Sequence, residues 1–110
     1  MAKLSDAEIQ TALTTLPGWT YANGVLSKTF SLPTFADAIA LVNGAAERAE
    51  EQGHHPDMDI RYNRVIFTLA THDEGGVTAK DIALAHAIDQ QAQFNIDLAT
   101  HEGLTDSTEP

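Results

Sequence analysis

The chain has 110 residues, 43% of them hydrophobic, and no cysteine. That is enough for one core, too little for two ordinary domains, and it rules out disulfides and thiolate metal sites. Six basic residues against sixteen acidic ones give a formal charge of -10, the wrong sign for an electrostatic hold on nucleic-acid backbones or anionic membranes. No stretch approaches the roughly 20 apolar residues that cross a bilayer, and Met1-Ala2-Lys3-Leu4-Ser5 lacks the apolar run of a secretory signal, so a soluble cytoplasmic protein is expected. Residues 1–101 are expected to form one domain. The polar, unpatterned stretch 102–110 is expected to be a flexible tail.

Ser5-x-x-Glu8 has the form of a capping box, with Leu4 and Ile9 placed to staple the first turn, and predicts a helix to about Leu16. Pro17-Gly18 breaks it. Trp19, Tyr21, Leu26 and Phe30 then fall on one face of two strands joined by Asn23-Gly24, a strong two-residue hairpin signal. Pro33-Thr34-x-x-Asp37 opens a second helix whose apolar stripe is read as Phe35, Ile39, Val42, Ala46 and Ala49, with Gly53 as its stop. Met58, Ile60 and Tyr62 alternate with Asp57, Asp59 and Arg61, and Val65, Phe67 and Leu69 alternate with Ile66, Thr68 and Ala70, which predicts a second hairpin turning at Asn63-Arg64. Thr78-x-x-Asp81 starts a third helix, stapled by Val77 and Ile82, that turns Ile82, Ala85, Ile88, Ala92 and Ile96 to a core. The order is helix, hairpin, helix, hairpin, helix. The simplest assembly is an α+β fold with one four-stranded antiparallel sheet covered on one face by three helices.

Three of the five histidines flank the second hairpin, His54-His55-Pro56 before its first strand and His72 after its second. With Asn63-Arg64 as the turn, position 55 falls opposite position 72, and directly opposed residues have Cβ atoms about 4.5 to 5.5 Å apart. His55 and His72 are therefore expected side by side at the hairpin's open end with His54 next to them, although Pro56 cannot donate to the ladder and loosens the pairing there. Glu50 lies four residues before His54, within reach of the same place. Asp81 is read first as a helix cap.

His86 and His101 stand isolated and are read as ordinary surface or core-edge residues. Three gathered imidazoles are less easily structural, since they repel one another when protonated. A metal centre of those histidines with Asp57 or Glu50 is one reading, but no H-E-x-x-H or comparable helical ligand spacing supports it. Acid–base chemistry fits better, because imidazole, with an unperturbed pKa of about 6.5, both gives and takes a proton near neutrality. No serine or cysteine elbow accompanies the cluster, and Gly75-Gly76 is read as the turn before the third helix rather than a phosphate loop.

The pattern Glu50-x-x-x-His54-His55-Pro56, then five residues to Tyr62, nine to His72 and eight to Asp81, resembles the signature of the pterin-4a-carbinolamine dehydratase family. Gly53-His-His-Pro-Asp-Met-Asp-Ile-Arg-Tyr-Asn-Arg-Val65 and Thr71-His72-Asp-Glu-Gly-Gly-Val-Thr78 resemble its bacterial-type members especially closely, and the resemblance extends from about residue 5 to residue 97. One departure is Met58, where many relatives carry an aromatic residue. The resemblance implies an α+β fold, no metal and no organic cofactor, and assembly as a homodimer or homotetramer. It implies a hydro-lyase that eliminates water from 4a-hydroxytetrahydrobiopterin or a close relative to give the quinonoid dihydropterin. The pterin links it to aromatic amino-acid hydroxylases. By the same resemblance His54 and His72 form the acid–base pair, His55 binds and orients the substrate, Glu50 tunes His54, and Asp81 supports the site. Animal relatives also serve as dimerisation cofactors of a homeodomain transcription factor, so the alternative is a protein-binding module with little or no dehydratase activity.

Overall fold

Local hydrogen bonds fix where the helices start. The computed structural model describes residues 2–108, with side chains described for 2–99. Helix α1 (Asp6–Leu13) carries the full capping box: Glu8 N–H donates to Ser5 Oγ, and Ser5 N–H to the Glu8 carboxylate. Helix α2 (Phe35–Gln52) starts on Thr34, whose hydroxyl accepts from Asp37 N–H at 3.0 Å. Helix α3 (Ala79–Thr108) starts beside Thr78, whose hydroxyl accepts from Lys80 N–H at 3.2 Å while the Asp81 carboxylate accepts from Thr78 N–H at 2.9 Å. The backbone of 102–108, expected to be part of a tail, continues α3. Residues 109 and 110, like the side chain of His101, lie outside the described residues.

Strands β1 (Thr20–Ala22), β2 (Val25–Ser31), β3 (Asp57–Arg61) and β4 (Arg64–Leu69) form one antiparallel sheet in the order β1-β2-β4-β3. The α+β fold is as the sequence predicts. Asn23 and Gly24, at φ 54 and 79, make the first hairpin turn, the left-handed pair that matches strand twist. Central strands β2 and β4 pair Leu26 with Leu69 and Phe30 with Val65. Those residues and Phe67 are buried against Leu41, Ala45 and Ala49 of α2 and Leu84, Ala85 and Ile88 of α3. Trp19, Phe30 and Phe67 meet edge to face.

Four expectations shift. The second hairpin turns at Tyr62-Asn63, so Arg61 pairs with Arg64 and Ile60 with Val65. Asn63 decides this, because its backbone carbonyl accepts from Leu32 N–H and its side-chain amide donates to Leu32 O, both at 2.8 Å. The buried stripe of α2 is Ala38, Leu41, Ala45 and Ala49, so Phe35, Ile39 and Ala46 sit beside it; two adjacent apolar rows compete in this helix, and the smaller one allows the closer approach to the sheet. Met58 and Ile60 face the helix side but stay exposed, because β3 is an edge strand that the helices do not cover. Ile96, expected in the core, is exposed as well.

Candidate active site

His54 is aimed by the end of α2. Gly53 takes the left-handed conformation at φ 63, its N–H donates to Glu50 O and the His54 N–H to Ala49 O. This double closure ends the helix and reverses the chain. His54 turns inward, 12% exposed, and its Nε2 lies 2.6 Å from the Oδ1 of Asp81, which is fully buried. The other oxygen of Asp81 accepts from the Thr71 hydroxyl at 2.8 Å and Thr78 N–H at 2.9 Å. A buried carboxylate needs such partners, and here every donor comes from a different segment. The sequence expectation that Asp81 caps α3 holds, and the same carboxylate also anchors the imidazole.

The hydroxyls have a set direction. Thr71 donates to Asp81, so the 2.8 Å contact between Thr71 and Thr78 must be donated by Thr78. With Asp81 accepting, Nε2 of His54 carries the proton toward it, and in the neutral ring Nδ1 is left as the acceptor.

His55 leaves the turn the other way. Its Nε2 meets a carboxylate oxygen of Glu50, with the two side chains 63% and 75% exposed. Glu50 was expected beside His54; the reversal at Gly53 sends His54 toward α3 and leaves His55 over the last turn of α2. His72 opens the 3₁₀ turn His72–Glu74, which Gly75 closes at φ 71 and the bridge between Thr71 and Gly76 ties off. Among the described residues its imidazole has no hydrogen-bond partner.

All three histidines line one cleft of about 310 Å³, whose wall also includes Ala70, Thr71, Asp73 and Lys80. They meet through loop geometry rather than strand pairing: the ladder ends at Asp57 and Thr68, and its register carried outward sets His55 opposite Ala70, not His72. Thr71, Asp73 and Lys80 carry no motif of their own in the sequence, although the first sits next to His72 and the last next to Asp81. A larger hollow of about 470 Å³ between α2 and α3 holds no histidine, and its Arg48 is tied to Glu51 at 2.9 Å. His86, expected to be ordinary, contacts the Thr15 hydroxyl at 3.3 Å, away from the cleft. Among the described residues no group of three or more histidine, cysteine or acidic side chains is placed to hold a metal ion, and no helix is long and apolar enough to cross a membrane.

A family model described as pterin 4 alpha carbinolamine dehydratase matches residues 2–91, the whole stretch that builds this cleft. The chain belongs to that family. It is 52% identical over 90 residues to a Nocardia farcinica protein named "Putative pterin-4-alpha-carbinolamine dehydratase", covering 82% of this chain and 95% of that protein. A Chloroflexus aurantiacus protein of the same name is 53% identical over 90 residues, covering 82% and 97%. Among solved structures, a transcriptional coactivator/pterin dehydratase from Brucella melitensis superposes with a TM-score of 0.79 at 37% identity, over 82% of this chain and 98% of that one. A pterin dehydratase-like protein described as a RuBisCO assembly factor in the alpha-carboxysome shares the fold, with a TM-score of 0.57 at 24% identity over 67% of this chain and 86% of that one.

Proposed function

We propose that the protein is a hydro-lyase acting on 4a-hydroxytetrahydropterins, with His54 and His72 as proton-transfer groups. The observation that carries this reading is the cleft in which a histidine anchored on a buried carboxylate shares a wall with a second histidine that has no hydrogen-bond partner among the described residues. Dehydration breaks the C4a–oxygen bond, so one proton must reach the leaving oxygen and another must leave the ring nitrogen as the new double bond forms. His54 suits the second task, since Asp81 holds its Nε2–H and leaves Nδ1 to accept. His72 suits the first, because its ring can follow the departing oxygen; the hydroxyl leaves as water with the proton His72 gives, and the proton His54 takes returns to His72 through solvent, which restores both rings. His55 orients the ring, with Glu50 in loose, solvent-exposed contact with its imidazole. No step calls on a metal or organic cofactor.

The substrate is 4a-hydroxytetrahydrobiopterin or a close relative, the form left by pterin-dependent aromatic hydroxylation. The protein works in the cytoplasm as a homodimer or homotetramer, for which the uncovered Met58 and Ile60 on edge strand β3 offer a surface. The deciding experiment is a direct assay of carbinolamine dehydration by purified protein, with and without a chelator. Acceleration that survives chelation supports proton transfer by histidine. Absence of acceleration over the spontaneous reaction would sink the proposal and favour the binding-module reading.

A further inference from the structure

The cleft holds charges that differ in whether they are already engaged. Asp81 and Glu50 are occupied by His54 and His55. Lys80 is not: its side chain lines the cleft, and among the described residues its ammonium makes no hydrogen bond or ion pair. Of the six basic residues in a chain of charge -10, Lys28, Arg48 and Arg61 are each paired with a carboxylate, and of Lys3, Arg64 and Lys80 only Lys80 lines this cleft. Its place is also poor for helix stability. It sits in the first turn of α3 (Ala79–Thr108), where the helix dipole favours acidic side chains and disfavours a cation. A local rule broken with no compensating contact points to a role outside folding.

We infer that Lys80 sets substrate specificity, selecting carbinolamines whose ring substituent at position 6 carries an anionic group, a carboxylate or a phosphate. This rests on the dehydratase reading. The field of an acidic protein repels anions in general, so a fixed cation at the cleft wall is what allows a negatively charged substituent to settle there. Lys80 acts on the substituent and not on the atoms that react, so its contribution appears in KM and leaves the proton transfers to the histidines. Asp73 lines the same cleft and limits the size of the preference.

The test compares three carbinolamines: one with a neutral dihydroxypropyl side chain, one with its phosphate ester, and one with a carboxylate-bearing side chain. The wild-type protein should show a KM lower by about fivefold for the anionic forms, the worth of one exposed charge pair. Lys80→Met should erase that ratio, Lys80→Glu invert it, Lys80→Arg keep it, and added salt shrink it. A preference for phosphate alone or carboxylate alone identifies which anion the site takes. Equal KM values in the wild type, an unchanged ratio in Lys80→Met, or a fall in kcat common to all three substrates would overturn the inference. Failure to turn over any carbinolamine overturns instead the dehydratase reading on which it rests. Equilibrium binding of inert neutral and phosphorylated dihydropterins then still tests Lys80: a wild-type preference lost in Lys80→Met supports it, and equal affinity or no binding rejects it.

Discussion

His54 and His55 are adjacent in the chain and each meets a carboxylate, yet they inhabit different worlds. His54 is 12% exposed and its partner Asp81 is fully buried, held further by Thr71 and Thr78. His55 and Glu50 are 63% and 75% exposed, each with solvent around it. Water screens the second pair and its long side chains move, so it carries little energy, whereas removing one partner of a buried pair strands the other. A histidine and a carboxylate thus make a fixed tautomer in one place and a loose contact in the other, and the difference comes from the left-handed Gly53 that sends the two rings apart.

Removing the rings has the largest expected effect. His54→Ala and His72→Ala should each lower kcat by about 10² to 10⁴, the usual worth of a positioned acid or base, measured as enzyme-dependent dehydration at saturating substrate. His86→Ala should leave kcat unaltered, which separates lost chemistry from lost folding. Asp81→Asn tests how the anchoring works. The introduced amide can accept from Thr71 and Thr78 only by turning its NH₂ toward His54, which drives the imidazole proton from Nε2 to Nδ1 and removes the acceptor from the cleft. The variant should lose kcat on the scale of His54→Ala and lose about 1 to 3 kcal/mol of stability from its mismatched buried hydrogen bonds. Wild-type kcat in Asp81→Asn would show that the tautomer of His54 is not what matters.

Smaller effects belong to the exposed pair. His55→Ala should raise KM by roughly tenfold, about one lost hydrogen bond to substrate, with kcat held, because a group that binds ground and transition states alike does not touch the chemical step. Glu50→Gln should change KM by less than about fivefold, within the range of an exposed ion pair. A fall in kcat for His55→Ala equal to that for His54→Ala would erase the distinction between the two histidines.

How far the sequence reveals all this depends on the range of the interactions involved. Ser5 with Glu8, Thr34 with Asp37, Asn23-Gly24 and the stop at Gly53 are legible because each structure is decided within four or five residues. The α+β order follows from them. The turn at Tyr62-Asn63 is not legible, since Tyr62 adopts φ 54 without being a turn-forming residue, and what fixes it is the hydrogen bonding of Asn63 to Leu32 on a distant segment. An Asn63-Arg64 turn implies the wrong register, and the three histidines nonetheless line one cleft because the loops on either side of the hairpin converge there. Glu50 meets His55 rather than His54 for a related reason: helical spacing counts residues but does not show which way the chain leaves Gly53. Lys80 is not legible because a lone lysine has no pattern; what sets it apart is its place on the cleft wall with no partner among the described residues.

The smallest predicted effect uses a second comparison, between two capping motifs of one design. In Ser5-x-x-Glu8 and Thr78-x-x-Asp81 an acidic side chain reaches back to the N–H that starts its helix, but Asp81 is buried and drawn into the cleft while Glu8 stays at the surface. Glu8 has its carboxyl held below the ordinary value of 4.5, chiefly by the hydrogen bond from Ser5 N–H and then by the Ser5 side chain, with burial opposing weakly. A group whose folded value is depressed adds stability above its unfolded value and loses it as pH falls through the folded one. Glu8 therefore stabilises α1 at neutral pH and ceases to do so in acid. The melting temperatures of the wild type and Glu8→Gln should differ slightly in favour of the wild type at neutral pH and converge below the carboxylate range, since every other acid titrates alike in both. A difference that persists unchanged into acid would mean that the Glu8 charge plays no part, and the uncharged geometry of the cap would then account for the start of α1.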